Sequence, residues 1–213
     1  MALRRTTMTP AHVLAQLAEQ IRSCQQCPLG RLRAHAVPGE GPADAAIMFI
    51  GEAPGFHEDR QGRPFVGASG RLLEKLLARI HLTREDVYIT NVIKCRPPAN
   101  RDPMPAEIEA CAPWLHRQIE IIDPLIIITL GRFSMAQFLP PDARITRVHG
   151  QPLMQGRRAI VPMFHPAAAL RNPNWLRDME NDFAQIPALL AKIQAQRDAL
   201  ARDAGGPEQL RLF

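Results

Sequence analysis

Long apolar runs are missing from this sequence of 213 residues. None approaches the roughly 20 consecutive apolar residues that a membrane-spanning helix needs, so no such helix is expected. The first ten residues, MALRRTTMTP, are not followed by an apolar core of signal-peptide type. The expected location is therefore the cytoplasm. No internal repeat is visible, which excludes solenoid and propeller architectures. No cysteine is left over from a set of four, and in a cytoplasmic chain four cysteines read as ligands rather than disulfides. Charge of one sign does not dominate either. The formal net charge is +5, a mild excess that suits a polyanionic partner.

What is present is an alternation of short apolar runs and helical patterns. Thr9 can cap a helix that begins at Pro10 and carries Val13, Leu14, Leu17 and Ile21 on one stripe. It should stop before Cys24. The runs Ala46–Ile50, Asp86–Val92, Leu125–Leu130 and Ala159–Phe164 read as strands. Arg71–Ile80, a helix opened by Pro105, Phe133–Leu139 and a long final helix over Trp175–Gln196 lie between or after them. Residues 140–158 read as loop or a weak hairpin. Strands alternating with helices predict a three-layer α/β/α fold with a mostly parallel, four-stranded central sheet. One domain is expected over 1–202, followed by a linker and tail over 203–213.

A loop rich in glycine and proline, Gly51–Gly70, leaves the first strand at its carboxyl end. In open α/β folds that edge is where ligands bind. Glu52 follows the first strand, Asn91 ends the second and His165 follows the last, so a parallel sheet brings all three to one edge. An asparagine amide donates and accepts at once, which suits a nucleobase edge. Phe65, in the loop, offers a stacking face. A histidine can donate to an oxygen that gains negative charge. Cys24 and Cys27 form C-x2-C, and Cys95 and Cys111 form C-x15-C. If the two pairs converge, the site suits zinc or a [4Fe–4S] cluster, and spacing does not separate them.

Four ordered motifs, GEAPG at 51–55, GRPFVG at 62–67, NVIKCRPPANRDP at 91–103 and FHPAAALRNP at 164–173, together with the cysteine spacing, resemble the family 4 uracil-DNA glycosylases. These are the iron–sulfur members of the uracil-DNA glycosylase superfamily. The resemblance implies hydrolysis of the N-glycosidic bond of deoxyuridine in DNA, with the nucleotide flipped out of the helix. It implies that Phe65 stacks on uracil, Asn91 reads its Watson–Crick edge and His165 stabilises the anionic leaving group. Glu52 would position the attacking water. Backbone groups from Ala53 to Gly55 would approach the base, and Glu58 would lie near its C5 side. The four cysteines would hold a [4Fe–4S] cluster. Ala53 stands where the family 1 enzymes have a water-activating aspartate, and Phe56-His57 stands where more acidic residues are expected.

Further expectations concern DNA. The loop after His165 would enter the minor groove with Leu170 and Arg171. Arg63, Lys94, Arg96 and Arg101 would meet phosphates. The final Gln209-Leu210-Arg211-Leu212-Phe213 resembles the QLxLF peptide that docks on bacterial sliding clamps. The chain is expected to act as a monomer. The competing expectation is a non-catalytic, metal-stabilised DNA-binding module on the same fold.

Overall fold

The computed structural model describes residues 8–204. The tail residues Gln209, Leu210, Leu212 and Phe213 lie outside them. In chain order the elements are α1 (Pro10–Ser23), α2 (Leu29–Leu32), β1 (Ile47–Gly51), α3 (Phe56–Gln61), α4 (Ala68–Arg79), β2 (Tyr88–Asn91), α5 (Pro105–Ile122), β3 (Ile126–Leu130), α6 (Arg132–Met135), α7 (Ile145–Val148), β4 (Leu153–Gln155), β5 (Arg158–Met163), α8 (Pro166–Ala169), α9 (Pro173–Ala184) and α10 (Ile186–Ala204).

The sheet runs β2-β1-β3-β5-β4. β1 pairs in parallel with β2 and β3, and β3 with β5. The fold class holds, but the sheet has five strands rather than the expected four. The fifth, β4, is antiparallel to β5 and comes from the stretch read as loop or weak hairpin. Its three residues are all exposed, so no alternation of buried and exposed positions marks it in the sequence.

Alternate strand residues serve two cores. Ile47 and Phe49 of β1, Ile126 and Ile128 of β3, and Val161 of β5 face one cluster with α4 and α9. Met48 and Ile50, Ile127 and Ile160 face the other, with α1 and α5. A period of two with both faces apolar is what a sheet covered by helices on each side requires. Thr9 caps α1 as expected, its side chain accepting from the His12 N–H at 3.3 Å.

The single final helix expected over Trp175–Gln196 is two, α9 and α10, with Gln185 between them. Pro187 lies in the first turn of α10 and has no N–H to continue the helix before it. The loop after β1 also contains a helix, α3. It is only six residues long and ends at Gly62 in the left-handed region, too short for periodicity to reveal.

Candidate active site and cysteine cavity

The parallel strands place their carboxyl ends together, with Gly51 directly opposite Asn91. A cleft of about 820 Å³ opens there, within the size range of small-ligand sites. Its walls include Glu52, Ala53, Gly55, Glu58, Phe65, Asn91, His165 and Arg171. Those expected site residues are therefore brought together by the fold. Leu170 stands exposed and is not part of the wall.

Asn91 is only 1% exposed, and its Oδ1 is buried without a hydrogen-bond partner. A buried, unpaired acceptor costs about 1–3 kcal/mol, so the fold keeps this one at a cost. Its position depends on Gly51, where a Cβ would stand 2.4 Å from Asn91 Oδ1 and 2.6 Å from Phe65 Cζ. Phe65 has φ 51°, in the left-handed region that disfavours side-chain-bearing residues. Arg84 holds it there, its guanidinium donating to the Phe65 carbonyl at 2.8 Å and the Pro64 carbonyl at 2.6 Å. Gly70 completes the fit, because a Cβ there would fall 1.7 Å from the Phe65 oxygen. The Phe65 and His165 rings stack with centroids 5.8 Å apart.

His165 caps α8, its Nδ1 accepting from the Ala167 N–H at 3.1 Å. That bond assigns the ring proton of the neutral imidazole to Nε2. Burial holds its pKa down to about 4, opposed by the Glu58 carboxylate, so the ring is neutral at pH 7. Glu52 is half-buried. Burial, with Asp102 repelling it and Arg132 opposing, raises its pKa.

Glu58 belongs to the frame of this wall. One oxygen accepts from the Val66 and Gly67 N–H groups at 2.9 and 2.8 Å, and the other from Gly55 N–H at 3.1 Å. Arg132 and Asp102, paired with each other, also line the cleft. Sequence reasoning missed both, and the glycine that ends β3 just before Arg132 was the available signal.

The four basic residues expected to meet phosphates divide. Lys94 is 1% exposed, and its Nζ donates to Thr90 Oγ1, the Asn91 carbonyl and Gln118 Oε1, each at 2.7 Å. It is a buried structural donor, not a surface cation, and burial lowers its pKa to about 8. Arg63 pairs with Glu40 at 2.8 Å and Arg101 with Glu107 at 2.6 Å. Arg101 still lines the cleft, and Arg96 lies over the ring of Phe56, a residue of its wall.

On the side of the sheet covered by α1 and α5, Cys24, Cys27, Cys95 and Cys111 line one small cavity with Ile21, Gly30, Arg33, Lys94 and Trp114. The two cysteine pairs thus converge. None of the four is in a disulfide. Arg33 donates to Cys95 Sγ at 2.8 Å and the Lys94 N–H to Cys111 Sγ at 3.3 Å. Burial raises both thiols, Cys111 to about 11. The indole Nε1–H of Trp114 is buried with no partner. Among the described residues no three His, Cys, Asp or Glu side chains close on a single metal ion. Four sulfurs lining one cavity, with an unpaired N–H beside them, are a donor set of the kind that holds a metal or a metal–sulfur cluster.

The site defines a class before it defines a branch. The profile of the uracil DNA glycosylase superfamily matches residues 38–191, and the chain belongs to that superfamily. It is 48% identical to the Type-4 uracil-DNA glycosylase of Sulfurisphaera tokodaii, over 83% of this chain and 84% of that one. It is 46% identical to the Type-4 uracil-DNA glycosylase of Archaeoglobus fulgidus, over 85% of this chain and 95% of that one. Identity to the Type-5 uracil-DNA glycosylase of Thermus thermophilus is 32%, over 57% of this chain and 69% of that one. The longer and closer matches are those to type-4 proteins.

Proposed function

We infer that the chain is a uracil-DNA glycosylase, hydrolysing the N-glycosidic bond of deoxyuridine in DNA to release uracil and leave an abasic site. The observation that carries this reading is the unpartnered Asn91 Oδ1 at the cleft wall. The N3–H of uracil is a donor of the kind that oxygen lacks, and the Asn91 amide N–H can then donate to the neighbouring carbonyl. Phe65 supplies an apolar face for the ring. Backbone from Ala53 to Gly55, short of side chains, lets the base come close.

The chemistry follows from charge. Breaking the bond leaves an anion on uracil and positive character on the sugar, so donors fixed in advance at the anion lower the barrier. His165 is such a donor. With Nδ1 engaged by Ala167 N–H, its Nε2–H is turned to the uracil O2, and a neutral ring loses no proton in the process. Glu52, kept partly desolvated, positions the attacking water and takes its proton. Glu58 shapes the C5 side by holding Gly55, Val66 and Gly67 in place. Leu170 and Arg171 fill the space left by the flipped nucleotide.

Cys24, Cys27, Cys95 and Cys111 would hold a [4Fe–4S] cluster, which would pin the N-terminal segment and the loop after β2 to the core. The donor set and the unpaired Trp114 N–H support that reading. Unpaired cysteines suit a reducing compartment, the cytoplasm. Among the described residues no helix is long and apolar enough to cross a membrane. Residues Gln209, Leu210, Leu212 and Phe213 would dock on a sliding clamp. Deleting 209–213 is expected to abolish clamp pull-down while leaving glycosylase activity intact, and unchanged pull-down would overturn that docking.

The enzyme reading is tested with an oligonucleotide carrying one uracil. The purified protein should create an alkali-labile abasic site at that position. Binding without strand breakage after alkali would instead establish the non-catalytic DNA-binding module.

A further inference from the structure

Phe56 lies outside both hydrophobic cores. It is 49% exposed. Among the described residues it is the one large exposed apolar side chain that lines the cleft. Leaving about half of a phenylalanine side chain in water forgoes part of the stabilisation that full burial would bring. Two guanidinium groups flank the ring. The Arg96 Cζ is 5.2 Å from its centroid and the Arg60 Cζ is 5.9 Å away, both within cation–π range. They come from different segments, Arg60 from α3 and Arg96 from the loop after β2. Arg96 is braced by Asn100 Oδ1, 2.6 Å from its Nε. The His57 ring meets the Phe56 edge at 5.5 Å and 81°. Among the described residues neither arginine pairs with a carboxylate.

We propose that Phe56, with Arg96 and Arg60, is a stacking platform for a nucleobase adjacent to the uracil on the substrate strand. The proposal rests on the glycosylase reading of the same cleft. An exposed aromatic ring takes a base of any identity, and the two guanidinium groups that lie over it would shift to the flanking phosphates as the base stacks. The ring stands at the mouth of the cleft while Phe65 stands at its base, so one strand would use both rings in successive positions. The platform reads no sequence. It recognises a strand whose bases are unstacked beside the flipped nucleotide.

The test uses single-stranded oligonucleotides in which 2′-fluoro-deoxyuridine, resistant to glycosidic cleavage, replaces the uracil and 2-aminopurine stands on one side or the other of it. Binding to the full chain should quench 2-aminopurine on one side. Phe56→Ala should lose that quenching and weaken the dissociation constant about ten-fold or more, while kcat on saturating uracil oligonucleotide stays within two-fold. Phe56→Trp should retain binding and quenching. Phe56→Leu, which keeps apolar bulk without a π face, should not. Equal binding by the Leu and wild-type proteins, or no change with Ala, would overturn the platform while wild-type activity leaves the glycosylase reading standing. Absence of abasic-site formation by the wild type overturns the glycosylase reading, and the quenching series is then read on its own. Melting curves of each variant show whether a loss is one of folding.

Discussion

The cleft draws on the end of β2 and the cysteine cavity on the residues just after it, yet the two treat most of their polar side chains differently. In the cysteine cavity both charged side chains are engaged, and among its buried polar groups the Trp114 Nε1–H is the one left without a partner. Arg33 spends its donors on Cys95 Sγ and on the Arg22 and Cys24 carbonyls, and Lys94 donates to three oxygens. In the cleft Asn91 Oδ1 has no partner, the Nε2–H of His165 is uncommitted, and Glu52 is held against its preference for charge. One region is arranged to keep its contents. The other is arranged to be completed for the length of a reaction and then emptied.

The sharpest way to break that contrast is to remove the uncommitted donor. His165→Ala should lower the single-turnover rate of uracil release by about 10²–10³-fold, as loss of one preorganised donor does elsewhere, and should lower the melting temperature only by the few degrees that loss of the α8 cap brings. Asn91→Ala should cost a similar or slightly smaller factor and, unlike His165→Ala, should narrow the preference for uracil over cytosine in competition. If both variants turn over like the wild type, the roles given to them are wrong.

A change in the occupied region should have the reverse signature. Lys94→Met leaves the Thr90, Asn91 and Gln118 oxygens without their shared donor, at about 1–3 kcal/mol. The melting temperature should fall by several degrees, with a rate loss smaller than that of His165→Ala. A rate loss equal to that of His165→Ala, without a fall in melting temperature, would mean that the two regions do not divide as described. Cys95→Ser should abolish broad absorbance near 400 nm in the purified protein. Retention of that absorbance would exclude Cys95 as a ligand.

The smallest expected effect is on pH dependence. His165 has a folded pKa of about 4 against 6.5 for the free side chain, so the folded state binds fewer protons between those values. Stability should therefore decline as pH falls from about 6.5 towards 4, but the rate should show no step through 6.5 on its account. If Glu52 acts on the water as proposed, its carboxylate is the working form, and because its pKa is raised the rate should fall as pH drops through that raised value. Glu52→Gln should flatten the limb, and a limb that persists in that variant assigns it to another group.

Much of this arrangement was legible in the sequence because it depends on strand ends and on backbone punctuation. Short β-rich runs and the residues just after them put Glu52, Asn91 and His165 on one edge, and the C-x2-C pair drew in Cys95 and Cys111. What stayed hidden depends on contacts between distant segments. Nothing near Lys94 announces that Gln118 will bury it. The pairing of Arg84 with the Phe65 carbonyl spans 19 residues and leaves no periodic trace. β4 has no apolar face, and the break after α9 follows from Pro187, whose weight as a helix starter competes with the apolar pattern around it. The role of Glu58 as a frame for three N–H groups is likewise a matter of loop closure rather than of residue type.

Gly51 and Gly70 have a consequence for how this protein tolerates change. Neither offers a side chain, yet the space each leaves is taken up by the site, Asn91 Oδ1 and the Phe65 ring at one and the Phe65 carbonyl at the other. A saturation scan of the chain should therefore find its strictest positions partly at residues with no chemistry of their own. Alanine, elsewhere the mildest replacement, would be as damaging there as the loss of a reacting group. Variation around the pocket is left to the rim, at positions such as His57, whose side chain meets solvent.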